Sequence, residues 1–266
     1  MQIKDYKIRV NGLYIYYRIA GTPTNLPIVF LHGWGARKDS LFGRLGVENV
    51  IVELAKYFYV VAPELPGLIR SQPPKRVLNM RNYSRLLHDL LKSLALEKFV
   101  LMGQSWGGGV AITYASLYHD QIRRLILVDA KLGKRKDDFY LKLGKFWHFV
   151  FDKSIKSQWF PFFVKKIMIT IYLGTPWKSI NKNVKQYAIM SEISRYADKE
   201  MKVDYTKLKK PLLLVYGDKD TSVTPIEKAK EIHRKIKNSK LIIVKGGHTV
   251  LYHRPEEVVG EIVRNL

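Results

Sequence analysis

Short, mostly apolar runs alternate with helix-like segments along this chain, and this alternation constrains its fold more than any other feature. Apolar residues dominate the runs at 27–31, 58–62, 98–102, 124–128, 211–216 and 241–244. A strand that is apolar on both faces needs cover on both faces, which a parallel sheet flanked by helices provides. An opening hairpin at 3–20 adds two strands, because Asn11-Gly12 favours a tight turn. The sequence therefore predicts an α/β fold with a mostly parallel, eight-stranded sheet and helices on both faces.

One long stretch interrupts the alternation. Between residues 131 and 206 no short apolar strand occurs, and the pattern resumes only at 211. This predicts a core domain formed by residues 1–130 and 207–266, with a helical cap at 131–206 inserted after the sixth strand. A chain of 266 residues can bury a core of this kind without disulfides.

Composition limits the chemistry and the partners. The chain has no cysteine, which excludes disulfides, thiolate metal sites and a cysteine nucleophile. Its first residues lack the apolar core of a signal peptide, and no stretch reaches the roughly 18 apolar residues that span a bilayer, so we expect a cytoplasmic protein. The formal net charge of +23 attracts anions. The basic residues are spread along the chain and no nucleic-acid-binding motif occurs, so we expect no specific nucleic-acid partner.

A serine lies where an apolar strand passes into a helix. Residues 103–107, GQSWG, fit the pattern G-x-S-x-G, in which a sharp turn holds the serine in a strained conformation. Gly107, Gly108 and Gly109 are poor helix formers, at about 1 kcal/mol each relative to alanine. Close packing of the helix on the sheet would offset that cost. We predict Ser105 as a nucleophile.

A serine attacks only when a base takes its proton. His248 follows the strand at 241–244 and two glycines, which frees its loop for function. We predict His248 as the base. His253, five residues further on, is the alternative.

The histidine needs an acid that fixes its tautomer and stabilises the imidazolium. We predict Asp220, which follows the strand at 211–216. Asp218 and Asp129 are the alternatives. Asp218 is expected instead to bond to its own local backbone, as aspartate often does in turns.

Acyl transfer passes through an oxyanion, which backbone N–H groups must stabilise. We predict that Trp106, directly after the serine, supplies one donor. The loop at 32–35, HGWG, supplies the other, with Trp34 as the expected residue. His32 is expected to brace this loop rather than to act as a base.

Together these residues resemble the α/β-hydrolase superfamily. The resemblance covers nearly all of the chain outside 131–206 and depends on the motifs HGWG (32–35), ELPG (64–67), GQSWGG (103–108), GDKD (217–220), GGH (246–248) and RPEEV (254–258). Some members place the acid at the position of Asp129. One departure concerns the loop after strand four, where Glu64 replaces the usual aspartate and Ile69 replaces a glycine. It puts the shape of that loop in doubt.

The resemblance implies a serine esterase. Haloalkane dehalogenases and epoxide hydrolases share the surrounding motif but carry an aspartate nucleophile, and Ser105 cannot form the alkyl ester that they need. We expect hydrolysis of a carboxylic ester with a small or medium apolar acyl group, without cofactor or metal, by a monomer or homodimer. C–C bonds, lactones or amides are alternative substrates for the same triad, and a non-catalytic binding protein is the alternative outside enzymes.

The segment 131–206 is both aromatic and basic. The resemblance implies a lid whose aromatic side chains line an apolar pocket. The same side chains would equally form the core between lid and main domain. A third interpretation, ranked below these, is contact with an anionic membrane surface near Lys165–Leu173. The aromatic residues concerned are Phe139, Tyr140, Phe146, Trp147, Phe149, Phe151, Trp159, Phe160, Phe162, Phe163, Tyr172 and Trp177.

Overall fold

The computed structural model covers most of the chain. It describes residues 2–34, 46–75, 78–132, 139–173, 208–220 and 226–266, with residues 177, 180, 184, 187–188, 192 and 203 between them. The side chains of residues 139–145, 148 and 172–173 lie outside this description. The predictions for Phe139, Tyr140 and Tyr172 therefore fall outside the described side chains.

Eight strands form one sheet in the order β1-β2-β4-β3-β5-β6-β7-β8. They are β1 (Lys4–Val10), β2 (Leu13–Ala20), β3 (Pro27–Leu31), β4 (Tyr59–Pro63), β5 (Phe99–Gln104), β6 (Ile122–Val128), β7 (Leu212–Gly217) and β8 (Ser239–Val244). The opening hairpin pairs antiparallel, and β3 to β8 run parallel. The predicted mostly parallel, eight-stranded sheet is confirmed.

The apolar strands contribute side chains to the cores on both faces of the sheet. Successive side chains on a strand point to opposite faces. In β5, Phe99 and Leu101 belong to one core cluster, while Val100 and Met102 belong to the other. Because both clusters are buried and apolar, a polar side chain on either face needs a hydrogen-bond partner, which favours the apolar runs.

Helices cover each face. The described helices are α1 (Val47–Ala55), α2 (Met80–Ser93), α3 (Trp106–Leu117), α4 (Phe139–Lys156), α5 (Phe162–Leu173), α6 (Ile226–Lys235), α7 (Val250–His253) and α8 (Pro255–Arg264). The side chains of α2, α3 and α6 enter one core cluster, and those of α1, α7 and α8 enter the other. None of the described helices has a stretch long and apolar enough to cross a bilayer.

The register of the parallel strands brings distant parts of the sequence to one edge. Leu31 of β3 pairs with Gly103 of β5, and the ends of β5, β6, β7 and β8 align in the same way. The loops that carry the predicted site residues leave these strand ends. Side chains more than 100 residues apart in sequence therefore meet at the carboxyl edge of the sheet.

The loop after β4 is held by a buried carboxylate. Glu64 accepts a hydrogen bond from the Arg70 backbone N–H at 3.0 Å and pairs with the guanidinium of Arg70. Arg18 lies 3.4 Å from the same carboxylate. This ion pair explains the departure from the family motif, since the longer Glu64 side chain reaches across the loop to close it on itself.

Two of the described helices lie between β6 and β7, in the segment where the sequence predicts a cap. α4 and α5 pack around a small core of their own that includes Phe151, Ile155 and Ile169, and this core also contacts Trp34. The limits of the cap at residues 131 and 206 remain a prediction.

Candidate active site

Ser105 occupies the turn between β5 and α3. Its backbone has φ 49° and ψ −114°, a conformation that residues with a side chain rarely adopt. Its N–H donates to the Val128 carbonyl at 3.0 Å, and its own carbonyl accepts from the N–H groups of Gly109 and Lys131 at 3.2 and 2.9 Å. These bonds hold the strained residue in place, as the G-x-S-x-G pattern predicts.

Two glycines allow strand and helix to meet closely at this turn. A Cβ atom on Gly103 would lie 2.4 Å from the carbonyl oxygen of Gly107, and one on Gly107 would lie 2.3 Å from that of Leu31. Both obstacles are backbone atoms, so no side-chain rotation relieves them. The expectation that close packing requires glycine here is confirmed.

His248 lies on the loop after β8, with its Nε2 2.8 Å from Ser105 Oγ. This loop is tied to the loop after β7. The Gly246 N–H donates to Asp218 Oδ1 at 2.7 Å, and the Gly246 carbonyl accepts from the Lys219 N–H at 2.8 Å. Asp218 thus braces the histidine loop, whereas the sequence predicted a bond to its own local backbone.

Asp220 is the acid that the structure brings to the histidine. Its Oδ2 lies 2.8 Å from His248 Nδ1. A carboxylate can only accept, so Nδ1 carries the proton and Nε2 is left to accept the serine hydroxyl. The Asp220 side chain is fully buried, while that of His248 is 18% exposed. The His248 ring can therefore be reached from outside, but the Asp220 carboxylate cannot.

The alternative residues lie elsewhere. His253 ends α7 with its side chain exposed. Asp129 is buried at the end of β6, and its Oδ1 accepts from the Gly217 N–H at 2.8 Å. Burial raises the pKa of Asp129 to about 8; the nearby charge of Asp220 adds to this rise, and the Gly217 bond opposes it. Among the described residues, no three His, Asp or Glu side chains are grouped so as to hold a metal ion.

Both predicted oxyanion donors border the serine. The Trp106 N–H lies in the first turn of α3, where backbone N–H groups have no partner within the helix. Trp34 follows Gly33, and a Cβ atom on Gly33 would lie 3.3 Å from the Cβ of Ser105. The backbone at Gly33 therefore lies close to Ser105, and the roles of the Trp34 and Trp106 N–H groups as oxyanion donors stay predictions.

Both ring nitrogens of His32 are engaged by backbone groups, so this residue braces the loop after β3. Its Nδ1 lies 2.8 Å from the Gly33 carbonyl oxygen, and its Nε2 accepts from the Leu65 N–H at 3.0 Å. Burial lowers the pKa of His32, so the ring stays neutral with its proton on Nδ1. The structural role predicted for this residue is confirmed.

A buried chain of hydrogen bonds, which sequence reasoning missed, joins the loop after β3 to the loop that carries His248. The Gly33 N–H donates to the Tyr252 hydroxyl, which donates to Gln104 Oε1, each over 3.1 Å. Gln104 Nε2 then donates to the His248 carbonyl over 3.1 Å. One signal was available, since Gln104 is the only polar side chain in β5 and a buried amide needs partners.

Known proteins are similar to this chain in sequence and fold. A soluble epoxide hydrolase from Corynebacterium sp. is 29% identical over 65% of the chain and 58% of its own length, so the chain spans less than two thirds of this relative. A putative esterase/lipase from Mycoplasma pneumoniae is 26% identical over 90% of the chain and 89% of its own length. The solved structure of a thermophilic esterase from Thermogutta terrifontis superposes with a TM-score of 0.71 at 23% identity, over 98% of this chain and 97% of that one. The model of the alpha/beta hydrolase family matches residues 28–261, and the chain belongs to this family.

Proposed function

We propose that this chain is a serine hydrolase that cleaves carboxylic esters of a small or medium apolar acyl group through an acyl-enzyme intermediate. One observation carries the proposal. Ser105 Oγ, the His248 ring and the Asp220 carboxylate form a continuous line with 2.8 Å at each junction. This is the arrangement that makes a serine hydroxyl nucleophilic.

In the first half of the reaction Ser105 Oγ attacks the ester carbonyl carbon. His248 Nε2 takes the hydroxyl proton, and the imidazolium that forms is stabilised by Asp220. The carbonyl oxygen becomes an oxyanion between the N–H groups of Trp34 and Trp106, each worth about 3–4 kcal/mol by analogy with other oxyanion sites. Collapse of this intermediate expels the alcohol, which takes the proton from His248.

In the second half water replaces the alcohol. His248 removes a proton from the water as it attacks the acyl carbon on Ser105, and the same oxyanion site holds the second tetrahedral intermediate. Collapse breaks the bond to Oγ, and the histidine returns its proton to the serine. The products are a carboxylic acid and an alcohol, and the enzyme is restored.

The relatives include both a putative esterase/lipase, which aligns along nearly the whole chain, and an epoxide hydrolase. The identity of the nucleophile favours the esterase. An aspartate nucleophile opens an epoxide to an ester that water can hydrolyse. Ser105 would instead form an ether, which this site has no means to cleave.

The proposal is tested by Ser105→Ala on a panel of chromogenic esters of increasing acyl length, with lactone, anilide and C–C substrates alongside. We expect wild-type turnover to be highest on short and medium esters. The variant should lose turnover by about a million-fold, as triad losses do in another serine hydrolase. Wild-type-like ester hydrolysis by the folded variant would refute the role of Ser105, and preference for another substrate would refute the ester assignment.

A further inference from the structure

The helices between β6 and β7 are apolar on two opposite sides. Their inner side, with Phe151, Ile155 and Ile169, is buried. On α5 a second stripe runs along the outer side. Phe163, Ile167 and Ile171 stand four residues apart and are 62%, 36% and 76% exposed. A soluble helix normally presents polar side chains on such a face, so this stripe needs an explanation.

Two further exposed aromatic residues flank this stripe along the sequence, one in the turn before α5 and one after α5. Trp159, the most exposed large apolar residue of the described part, is 94% accessible, and its N–H donates to Ser157 Oγ at 3.1 Å. The rings of Phe163 and Trp177 meet edge to face, with centroids 5.3 Å apart. We call the five residues Trp159, Phe163, Ile167, Ile171 and Trp177 the outer surface.

This concentration is local. Fourteen large apolar side chains are exposed in the described part of the chain, and nine of them lie between residues 146 and 177. The others, among them Tyr57 and Leu26, are scattered over the core domain. Scattered apolar residues are ordinary on a protein surface, whereas a contiguous group marks a contact site.

The same region is strongly basic. Residues 139–173 contain six lysines and one acidic residue, Asp152. The Lys166 Nζ lies 4.6 Å from the centre of the Trp177 ring, so a cation borders the outer surface itself. The whole chain adds a formal net charge of +23. The ligand that fits must be apolar in its interior and anionic at its boundary.

We infer that the outer surface docks this protein on an anionic lipid bilayer. The apolar side chains enter the boundary between headgroups and acyl chains, and lysines such as Lys166 reach the phosphates. A second copy of the chain fits less well, because a two-fold interface would place lysines of one copy against those of the other. A nucleic acid would match the charge but not the isoleucine stripe. The inference goes beyond the proposed ester chemistry and does not depend on it.

Vesicle flotation tests the inference. The whole protein is mixed with vesicles of phosphatidylcholine containing about one third phosphatidylglycerol, and with vesicles of phosphatidylcholine alone. We expect strong binding to the anionic vesicles and much weaker binding to the neutral ones. The double variant Trp159→Ser/Ile171→Ser should bind anionic vesicles at least about tenfold more weakly, because it removes apolar area that would enter the bilayer.

Matched variants distinguish binding through the outer surface from attraction by the net charge of the whole protein. Tyr57→Ser removes an exposed aromatic residue of the core domain and should leave binding unchanged. Lys166→Gln should weaken binding by about fivefold, the factor for one lysine at an anionic membrane. Lys92→Gln, at an exposed position on α2, should weaken it much less. Unchanged thermal unfolding midpoints show that each variant is folded.

Three results would overturn the inference. The first is no flotation with anionic vesicles. The second is equal weakening by Lys92→Gln and Lys166→Gln with no effect of the apolar double variant, which would indicate attraction by net charge alone. The third is a dimer, seen by analytical ultracentrifugation without lipid, that the double variant dissociates, which would assign the surface to a second copy.

Discussion

Two aspartates at the ends of neighbouring strands have different chemistry in this fold. Asp220, after β7, has its carboxylate against His248 Nδ1. Asp129, after β6, is equally buried, but its Oδ1 receives a backbone N–H from Gly217. Burial raises the pKa of Asp129 to about 8, so this carboxyl is protonated at neutral pH. Burial alone therefore does not make an aspartate a triad member, and the partner decides its role.

The different protonation of the two aspartates also limits the negative charge near His248. Two ionised carboxylates close together in a buried site repel each other, and one of them then holds its proton. The charge of Asp220 contributes to the raised pKa of Asp129. In the proposed mechanism a single negative charge is thus left to balance the imidazolium of His248.

The variant Asp220→Asn tests most strongly which of the two aspartates orients His248. The amide can donate its own N–H to Nδ1, which favours the wrong tautomer of His248, so kcat should fall by about 10⁴-fold, as it does in another serine hydrolase. Steady-state kinetics on the best ester measures this loss. If kcat fell by less than about tenfold, Asp220 would not be the acid.

The matched variant Asp129→Asn should change kcat by less than about threefold, because this carboxyl bonds Gly217 rather than the histidine. A loss as large as that of Asp220→Asn would move the acid to the end of β6, where some relatives carry it.

The same variant should alter how stability depends on pH. The folded pKa of Asp129, about 8, lies above the ordinary value of 3.8. Between these values the folded chain holds the extra proton, so this residue's contribution to stability is complete below about pH 4 and is lost as the pH rises to about 8. The variant Asp129→Asn has no titrating group at this position, so its stability does not fall in this way. In urea unfolding, the free energy of unfolding of the variant should rise relative to that of the wild type from about pH 5 to about pH 8. A difference in free energy of unfolding that stays constant with pH would contradict the raised pKa.

The sheet and the residues at its carboxyl edge could be predicted because each has a local signal. Apolar runs mark the strands, and the G-x-S-x-G turn marks Ser105 by its glycines. His248 and Asp220 follow from their positions after strands. The predicted strand boundaries differ from those in the structure by up to two residues. The short helix α7 was not predicted, because a single helical turn is too short to show helical periodicity.

Other features could not be predicted because their partners are distant in sequence. Tyr252 meets Gln104 across 148 residues, and Arg18 meets Glu64 only once β2 pairs with β4. The neutral state of Asp129 depends on burial that the sequence does not show. The aromatic residues of the segment 131–206 were expected to line a pocket, to form a core or, ranked third, to face a membrane surface. Phe151 is buried in a core, whereas Trp159 in the turn before α5 and Phe163 on α5 are exposed. Composition alone does not say which side of a helix faces solvent.

The central claim is that Ser105 is an activated nucleophile, and covalent labelling tests it most directly. The wild-type protein is treated with a fluorophosphonate at neutral pH, digested and analysed by mass spectrometry. We predict one adduct, on the peptide containing Ser105, that is absent from Ser105→Ala and forms far more slowly in Asp220→Asn. A folded wild-type protein that gains no adduct at Ser105, or gains it on another serine, would contradict the account.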